Sequence, residues 1–232
     1  MAMSLMRLMP NLRGPAEKRR RLYSNVINSI ILYGVPIWAE MISKNKEIKE
    51  KLRRIQRNVG LRVISAYRTT SHEAVAILAS QIPLDIKTTE YARVYNTVSG
   101  LRERGHSLPP RMIMGIKNLE REASVMEWTF RLEEEADRLP WARVRDCLVP
   151  VLGKRLTRRK NLGLFFRTTQ IMTGHECFNC WDEEREQLAM TFGRHFTLKK
   201  IMEDSLEDPD KWQAFTNFCE KVIKDKEVAE RC

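Results

Sequence analysis

The sequence predicts an all-α protein of about eight helices in two layers, without a substantial sheet. Apolar residues recur at intervals of three and four along most of the chain, as they do on one side of an α-helix. No segment sustains the alternation of apolar and polar residues that indicates a strand. Glycine and proline lie where such helices would begin and end.

The first predicted helix begins at Pro15, because proline suits a first helical position where an N–H would have no partner. Gly34 and Pro36 should end or kink this helix, since proline cannot donate to the helical hydrogen-bond ladder. Tyr33 and Trp38 flank this elbow within apolar sequence. We therefore expect both aromatic side chains to belong to the core.

A strongly amphipathic helix is predicted after the elbow. Its apolar stripe consists of Ile48, Leu52, Ile55, Val59 and Val63. Its basic stripe consists of Lys46, Lys49, Arg53 and Arg57. Between Ile48 and Tyr67 the only acidic residue is Glu50, whereas a merely solvated face usually mixes both signs of charge.

This charge imbalance favours a polyanion as partner of the helix, and a solvated face on a core helix is the alternative. The candidate nucleic-acid-binding residues are Lys46, Lys49, Arg53, Arg54, Arg57, Arg62 and Arg68. No side chain in this stretch has the arrangement of a catalytic base, because His72 is solitary among titratable groups.

Capping signals place the next two helices. Thr70 and Glu73 form a predicted capping box that starts a short helix ending near Ser80. A longer helix is expected over about 86–104, closed by Gly105. Residues 106–110, with glycine before them and two prolines among them, are predicted to link two regions.

The second region also has helical periodicity. A long helix after the linker is predicted to run to residue 138, and two further helices are predicted over 141–152 and 154–173. The basic residues of the third helix are equally compatible with a solvated helix start and with phosphate contacts: Lys154, Arg155, Arg158, Arg159 and Lys160. A last helix is predicted to dock through an apolar seam of Trp212, Phe215, Phe218 and Val222.

The composition favours an anionic partner. Lysine and arginine total 41 against 30 aspartate and glutamate residues, a formal net charge of +11. Five cysteines, an odd number, and the lack of a cleavable signal indicate a reducing intracellular compartment, nuclear or cytoplasmic. The most apolar run, residues 26–39, is shorter than the roughly 20 residues that span a bilayer, so no membrane partner is expected.

Several collinear segments resemble the region after the palm in reverse transcriptases of non-LTR retrotransposons, in particular those of insect type-1 retrotransposable elements. They include residues 3–15, RRL at 20–22, SIILYGVPIWA at 29–39, RVISAYRTTS at 62–71 and IPLD at 82–85. Residues 181–193 and 212–231 resemble the last segment of the same proteins. The resemblance implies a thumb-like helical domain at 1–105, a linker at 106–110 and a helical C-terminal region at 111–232.

The resemblance implies nucleic-acid binding without catalysis. Related polymerases hold two metal ions with paired aspartates in the palm, and this chain has no such pair. We therefore expect no catalytic residue, and a thumb and C-terminal fragment that binds RNA, an RNA–DNA hybrid or DNA, with docking to a polymerase palm as a further role. The alternatives are a helical protein-interaction module and a degenerate remnant without activity.

Cys177 and Cys180 have the spacing of half a zinc site, and His175 and His195 lie nearby. A structural zinc site needs four ligands, and no second close pair follows. In related proteins a Thr-Gly-His-x-Cys-Phe segment, matched at residues 173–178, precedes a Cys-Cys-His-Cys knuckle. The resemblance implies that the segment with the first three knuckle ligands has been lost, so neither a metal nor a cofactor is predicted.

Overall fold

The computed structural model describes residues 15–134, 141–157, 164, 166–175, 178 and 182–229. These ranges contain α-helices and one 3-10 turn and no strand, so the predicted all-α fold is confirmed for them. The helices are α1 (Glu17–Leu32), α2 (Val35–Lys44), α3 (Lys46–Val63), α4 (His72–Ala79), α5 (Leu84–Glu103), α6 (Pro110–Glu134), α7 (Ala142–Leu148), α8 (Leu152–Thr157), α9 (Phe166–Thr173), α10 (Asp182–Phe192), α11 (Leu198–Glu207) and α12 (Pro209–Ala229).

The second half is divided into shorter helices than the sequence predicts. The single helix expected over 141–152 is α7, a 3-10 turn at Val149–Val151 and the start of α8. Pro150 lies in the first turn of the 3-10 segment, where its missing N–H does not break an established ladder. The sequence interpretation overlooked this proline.

The elbow between α1 and α2 is confirmed, with the two helix axes bent by 85°. Gly34 has φ of 69°, the left-handed conformation that glycine adopts at little cost. Trp38 is partly buried, and its Nε1 donates to the Tyr33 carbonyl at 3.2 Å. The Tyr33 side chain, however, is 86% exposed, so its prediction as a core residue is wrong. Because α1 already ends at Leu32, Tyr33 no longer follows the buried stripe of that helix.

In the described part of the chain, no single helix is both long enough and apolar enough to span a membrane. Helices α1 and α2 meet that test only as a pair joined across their bend.

Helix α4 lies in the core, because residues 74–79 are buried on every side of it. Its N-cap is Ser71, whose Oγ accepts a hydrogen bond from Ala74 N at 3.2 Å. The predicted cap, Thr70, is one residue too early, and its Oγ1 has no hydrogen-bond partner within the described ranges. The Thr70 carbonyl instead accepts hydrogen bonds from Arg57, which leaves Ser71 as the extended residue before the helix.

Helices α5 and α6 pack along each other on either side of the predicted linker. Ion pairs join them, and the two shortest in the described residues are Arg93 Nε to Glu120 Oε2 at 2.6 Å and Arg131 Nη1 to Asp85 Oδ2 at 2.8 Å. The main hydrophobic cluster contains residues from both sides of the linker, from Ile27 to Ile223. The division at 106–110 stays a prediction.

The final helix packs through the seam that the sequence predicts. Phe215, Phe218 and Val222 of α12 are buried against α9, α10 and α11. Phe178 joins them, with its ring centroid 5.8 Å from that of Phe218. Trp212 is partly buried at the edge of the cluster.

Candidate nucleic-acid interface

Helix α3 carries six of the seven residues for which the sequence predicts nucleic-acid contacts, and Arg68 lies in the loop after it. Its start is fixed by Asn45, whose Oδ1 accepts hydrogen bonds from Glu47 N at 2.9 Å and Ile48 N at 3.1 Å. Leu52, Val59 and Val63 on its apolar side are buried. The predicted amphipathic helix is therefore present, with its charged residues on the accessible side.

Lys46, Lys49 and Arg53 line one cleft of about 180 Å³. Across it are Arg131 and Trp128 of α6. The cleft also contains carboxylates, from Glu50, Glu73 and Asp85. Its wall is therefore of mixed charge rather than uniformly basic, and each cation must be judged by its partners.

Arg53 forms an ion pair with Glu73 that ties α3 to the N-terminal turn of α4. His72 Nδ1 lies 3.5 Å from the same carboxylate. Burial raises the pKa of Glu73, but the hydrogen bond from His72 and the charge of Arg53 outweigh it and lower that pKa to about 2. Much of the Arg53 charge is thus balanced within the protein.

Replacing Glu73 with glutamine is expected to lower the free energy of unfolding by about 1 kcal/mol at neutral pH. The folded-state pKa lies below the ordinary value of 4.5, so this stabilisation is complete above that value and is lost as the pH falls toward 2. Urea unfolding of wild type and variant across this pH range should show two stability curves that converge in acid.

The control is the Glu47→Gln variant, which removes an exposed pair with Lys51. Its free energy of unfolding should differ from that of wild type by a small and nearly pH-independent amount. Parallel curves for wild type and Glu73→Gln would contradict the assignment.

Arg57 supports the loop that precedes α4. Its Nε and Nη2 donate to the Thr70 carbonyl at 3.0 and 2.8 Å, and Nη2 also donates to the Arg68 carbonyl. Its positive charge remains, but the guanidinium is held against the protein. Helical spacing alone cannot reveal this role, because the carbonyls belong to a loop more than ten residues away.

The remaining predicted residues differ in accessibility. Arg54 lies 3.5 Å from Glu50 in a surface i,i+4 pair. Arg62 is half-buried, and its carbonyl accepts a hydrogen bond from Arg20 of α1 at 3.1 Å. Arg68 is exposed. Of the seven predicted residues, Lys46, Lys49 and Arg68 are exposed and form no ion pair with a carboxylate among the residues that the structure describes.

A second basic surface, which the sequence interpretation missed, lies where α5 and α6 meet. Its exposed cations are Arg102, Arg104, Arg111 and Lys117. None of the four is paired with a carboxylate within the described ranges. Glu103 is the only acidic residue between positions 102 and 117. We name these four residues the α5–α6 basic edge.

Two tyrosines accompany this edge. Tyr91 and Tyr95 are one helical turn apart and are 43% and 54% exposed. They line a shallow groove of about 350 Å³, together with Arg102 and Lys117. Aromatic rings beside cations are typical of surfaces on which the bases of a single strand stack. The signal available in the sequence was the Tyr-x₃-Tyr spacing followed by a charge imbalance over residues 102–117.

His175, close in sequence to the Cys177 and Cys180 pair, contacts two threonine hydroxyls. His175 Nε2 is 2.9 Å from Thr69 Oγ1, and His175 Nδ1 is 2.7 Å from Thr173 Oγ1. Cys177 and Cys180 lie outside the described residues. Among the residues that are described, no three His, Cys, Asp or Glu side chains are grouped to hold a metal ion.

Comparison with known proteins shows similarity to a protein of an insect retrotransposable element. The chain is 25% identical over 169 residues to the 115 kDa protein in type-1 retrotransposable element R1DM of Drosophila melanogaster. The chain is of retrotransposon-related origin. The match covers 70% of this chain but 16% of the relative, so the activities of that longer protein do not transfer directly. No protein-family model and no solved structure matches the chain.

Proposed function

We propose that this chain is a non-catalytic nucleic-acid-binding part of a non-LTR retrotransposon reverse transcriptase, corresponding to its thumb and C-terminal region. One observation carries the proposal: seven exposed cations on α3, the loop after it and the α5–α6 basic edge have no carboxylate partner among the described residues. Such charges release counterions when they meet phosphates. The retrotransposon-related origin supports a nucleic acid as the polyanion.

The α5–α6 basic edge is better suited to phosphate contact than the middle of α3. On α3, Arg53 pairs with Glu73 and Arg57 binds loop carbonyls, so moving either from its partners would cost stability. On the edge, Arg102 and Lys117 line the same groove as the two tyrosines, and neither pairs with a carboxylate among the described residues. Single-stranded RNA therefore fits this surface best, with phosphates on the cations and bases on the rings.

Paired substitutions separate the two surfaces. We expect Arg102→Gln/Lys117→Gln to weaken the binding of a single-stranded RNA by about tenfold near physiological salt, because two phosphate contacts are lost. Lys46→Gln/Lys49→Gln should weaken binding in the same direction. Fluorescence anisotropy with a labelled oligonucleotide measures both effects.

The control for this experiment is Arg194→Gln/Lys224→Gln, which removes two exposed charges from the C-terminal half and leaves both proposed surfaces intact. It should retain nearly the wild-type dissociation constant. Equal weakening by all three double variants would indicate attraction to net charge alone and would contradict a defined interface.

One observation favours a second function, protein docking. Large apolar side chains are exposed along α1 and just after it, where they line one groove: Leu22, Val26, Ile30 and Tyr33. Helix α2 exposes two more, Ile37 and Met41. Exposed apolar patches of this kind mark protein-interaction sites. We propose docking to a polymerase palm as the second role of the chain.

A further inference from the structure

A cavity of about 250 Å³ lies between α1, α5, α6 and α8, apart from the interface described above. Four cationic side chains from these four helices line it: Arg21, Lys87, Arg121 and Arg155. The rest of its wall includes the neutral polar side chains of Asn25, Asn28, Ser80 and Gln81.

The carboxylates near this cavity do not balance its cations. Arg21 pairs with Glu17 at 2.5 Å, and Arg121 Nη1 lies 3.6 Å from Glu90 Oε2. Lys87 has no ion-pair partner among the residues that the structure describes.

Arg155 likewise pairs with no carboxylate in the described part of the chain. Four cations therefore line one cavity, and two of them are paired with carboxylates that lie outside its lining.

Two hydrogen-bond donors in the wall have no partner among the residues that the structure describes. Arg155 is 2% exposed, and its Nη1 and Nη2 donate to the carbonyls of Ile77 and Leu78 at 3.2 Å each. Its Nε is buried without a hydrogen-bond partner, and so is Ser80 Oγ. Unsatisfied buried donors cost stability, and an anion that accepts from them would recover it.

The pKa shifts of Lys87 and Arg155 agree with an excess of positive charge around the cavity. Burial, together with the charge of Arg121, lowers the pKa of Lys87. Burial, together with the charge of Arg21, lowers the pKa of Arg155 to about 10. A bound anion would oppose both pKa shifts, as the charges of Glu90 and Glu17 already do in part.

We propose that this cavity binds a phosphate group, held by Lys87, Arg121 and Arg155. The multiple acceptor oxygens of a phosphate match donors that converge from several helices. The phosphate comes either from a small phosphate ester or from the 5′ end of a nucleic-acid strand. This site does not depend on the proposed function, because none of its residues belongs to α3 or to the α5–α6 basic edge.

Calorimetric titration with inorganic pyrophosphate at constant ionic strength tests the proposal. Wild type should bind saturably, and Lys87→Met and Arg121→Gln should each raise the dissociation constant by about tenfold or more. The matched controls are Lys117→Met and Arg111→Gln, on α6 but outside the cavity, and they should change it by less than about twofold. No saturable binding up to about 10 mM, or equal loss in all four variants, would overturn the proposal.

Folding of each variant is checked by thermal unfolding without pyrophosphate. Arg121 is partly exposed, so Arg121→Gln should remain folded and keeps the test decisive if Lys87→Met does not fold.

The source of the phosphate is resolved by competition between pyrophosphate and matched oligonucleotides with 5′-phosphate or 5′-hydroxyl ends. Competition by the 5′-phosphate strand alone would identify a nucleic-acid end, and no competition would identify a free phosphate ester. Loss of RNA binding at the other surfaces would leave the pyrophosphate result unchanged.

Discussion

Replacing Gly60 with alanine is expected to lower the free energy of unfolding by about 2 kcal/mol. A Cβ at this position would lie 2.4 Å from Cγ1 of Val75, far inside van der Waals contact. Val75 is buried on α4, so neither helix can yield easily. The gain of about 1 kcal/mol in helix propensity is therefore outweighed by overpacking.

The control is a second helical glycine with open space around it. A Cβ at Gly100 on α5 would meet no atom within 4 Å, so Gly100→Ala should be neutral or stabilising by up to about 1 kcal/mol. Urea unfolding monitored by circular dichroism measures both variants. Stabilisation of similar size at both positions would contradict the close packing of α3 on α4.

Replacing Arg155 with methionine is expected to cost about 3 kcal/mol of folding stability. The guanidinium donates to the carbonyls of Ile77 and Leu78 in the last turn of α4, where the helical ladder is incomplete and Ser80 N also donates to the Ile77 carbonyl at 3.1 Å. Methionine fills part of the volume but donates nothing. The two carbonyls would be left with fewer partners in the core of the protein.

Lys154 provides the matched comparison for Arg155, because it is adjacent in sequence and exposed. Lys154→Met should change the free energy of unfolding by less than about 0.5 kcal/mol, as surface substitutions usually do. Thermal and urea unfolding should agree on this difference. A small effect at Arg155 would mean that its charge is tolerated rather than needed at the end of α4.

Periodicity and capping signals predicted much of the fold. The amphipathic pattern of α3, the elbow at Gly34 and the seam of α12 all depend on neighbours close in sequence, and all three are present. The cap of α4 was misplaced by one residue, from Ser71 to Thr70. That error arose because a distant guanidinium binds the Thr70 carbonyl, and such a partner leaves no local pattern.

The candidate interface was only partly predictable. Charge spacing identified Lys46 and Lys49 as accessible cations, but it could not show that Glu73 reaches Arg53 from the next helix. It also gave no weight to the cations around residues 102–117, which gather only because α5 and α6 fold back on each other. The Tyr33 side chain was placed in the core because sequence shows apolar surroundings but not the end of a helix.

The salt dependence of RNA binding tests the central claim most directly. Anisotropy titrations of the purified chain with a single-stranded RNA, repeated across salt concentrations, give the slope of log affinity against log salt. Four to seven phosphate contacts predict a slope between about −3 and −5, reduced by about 1.4 in Arg102→Gln/Lys117→Gln. A slope near zero, or no binding at low salt by a folded protein, would contradict nucleic-acid binding by this chain.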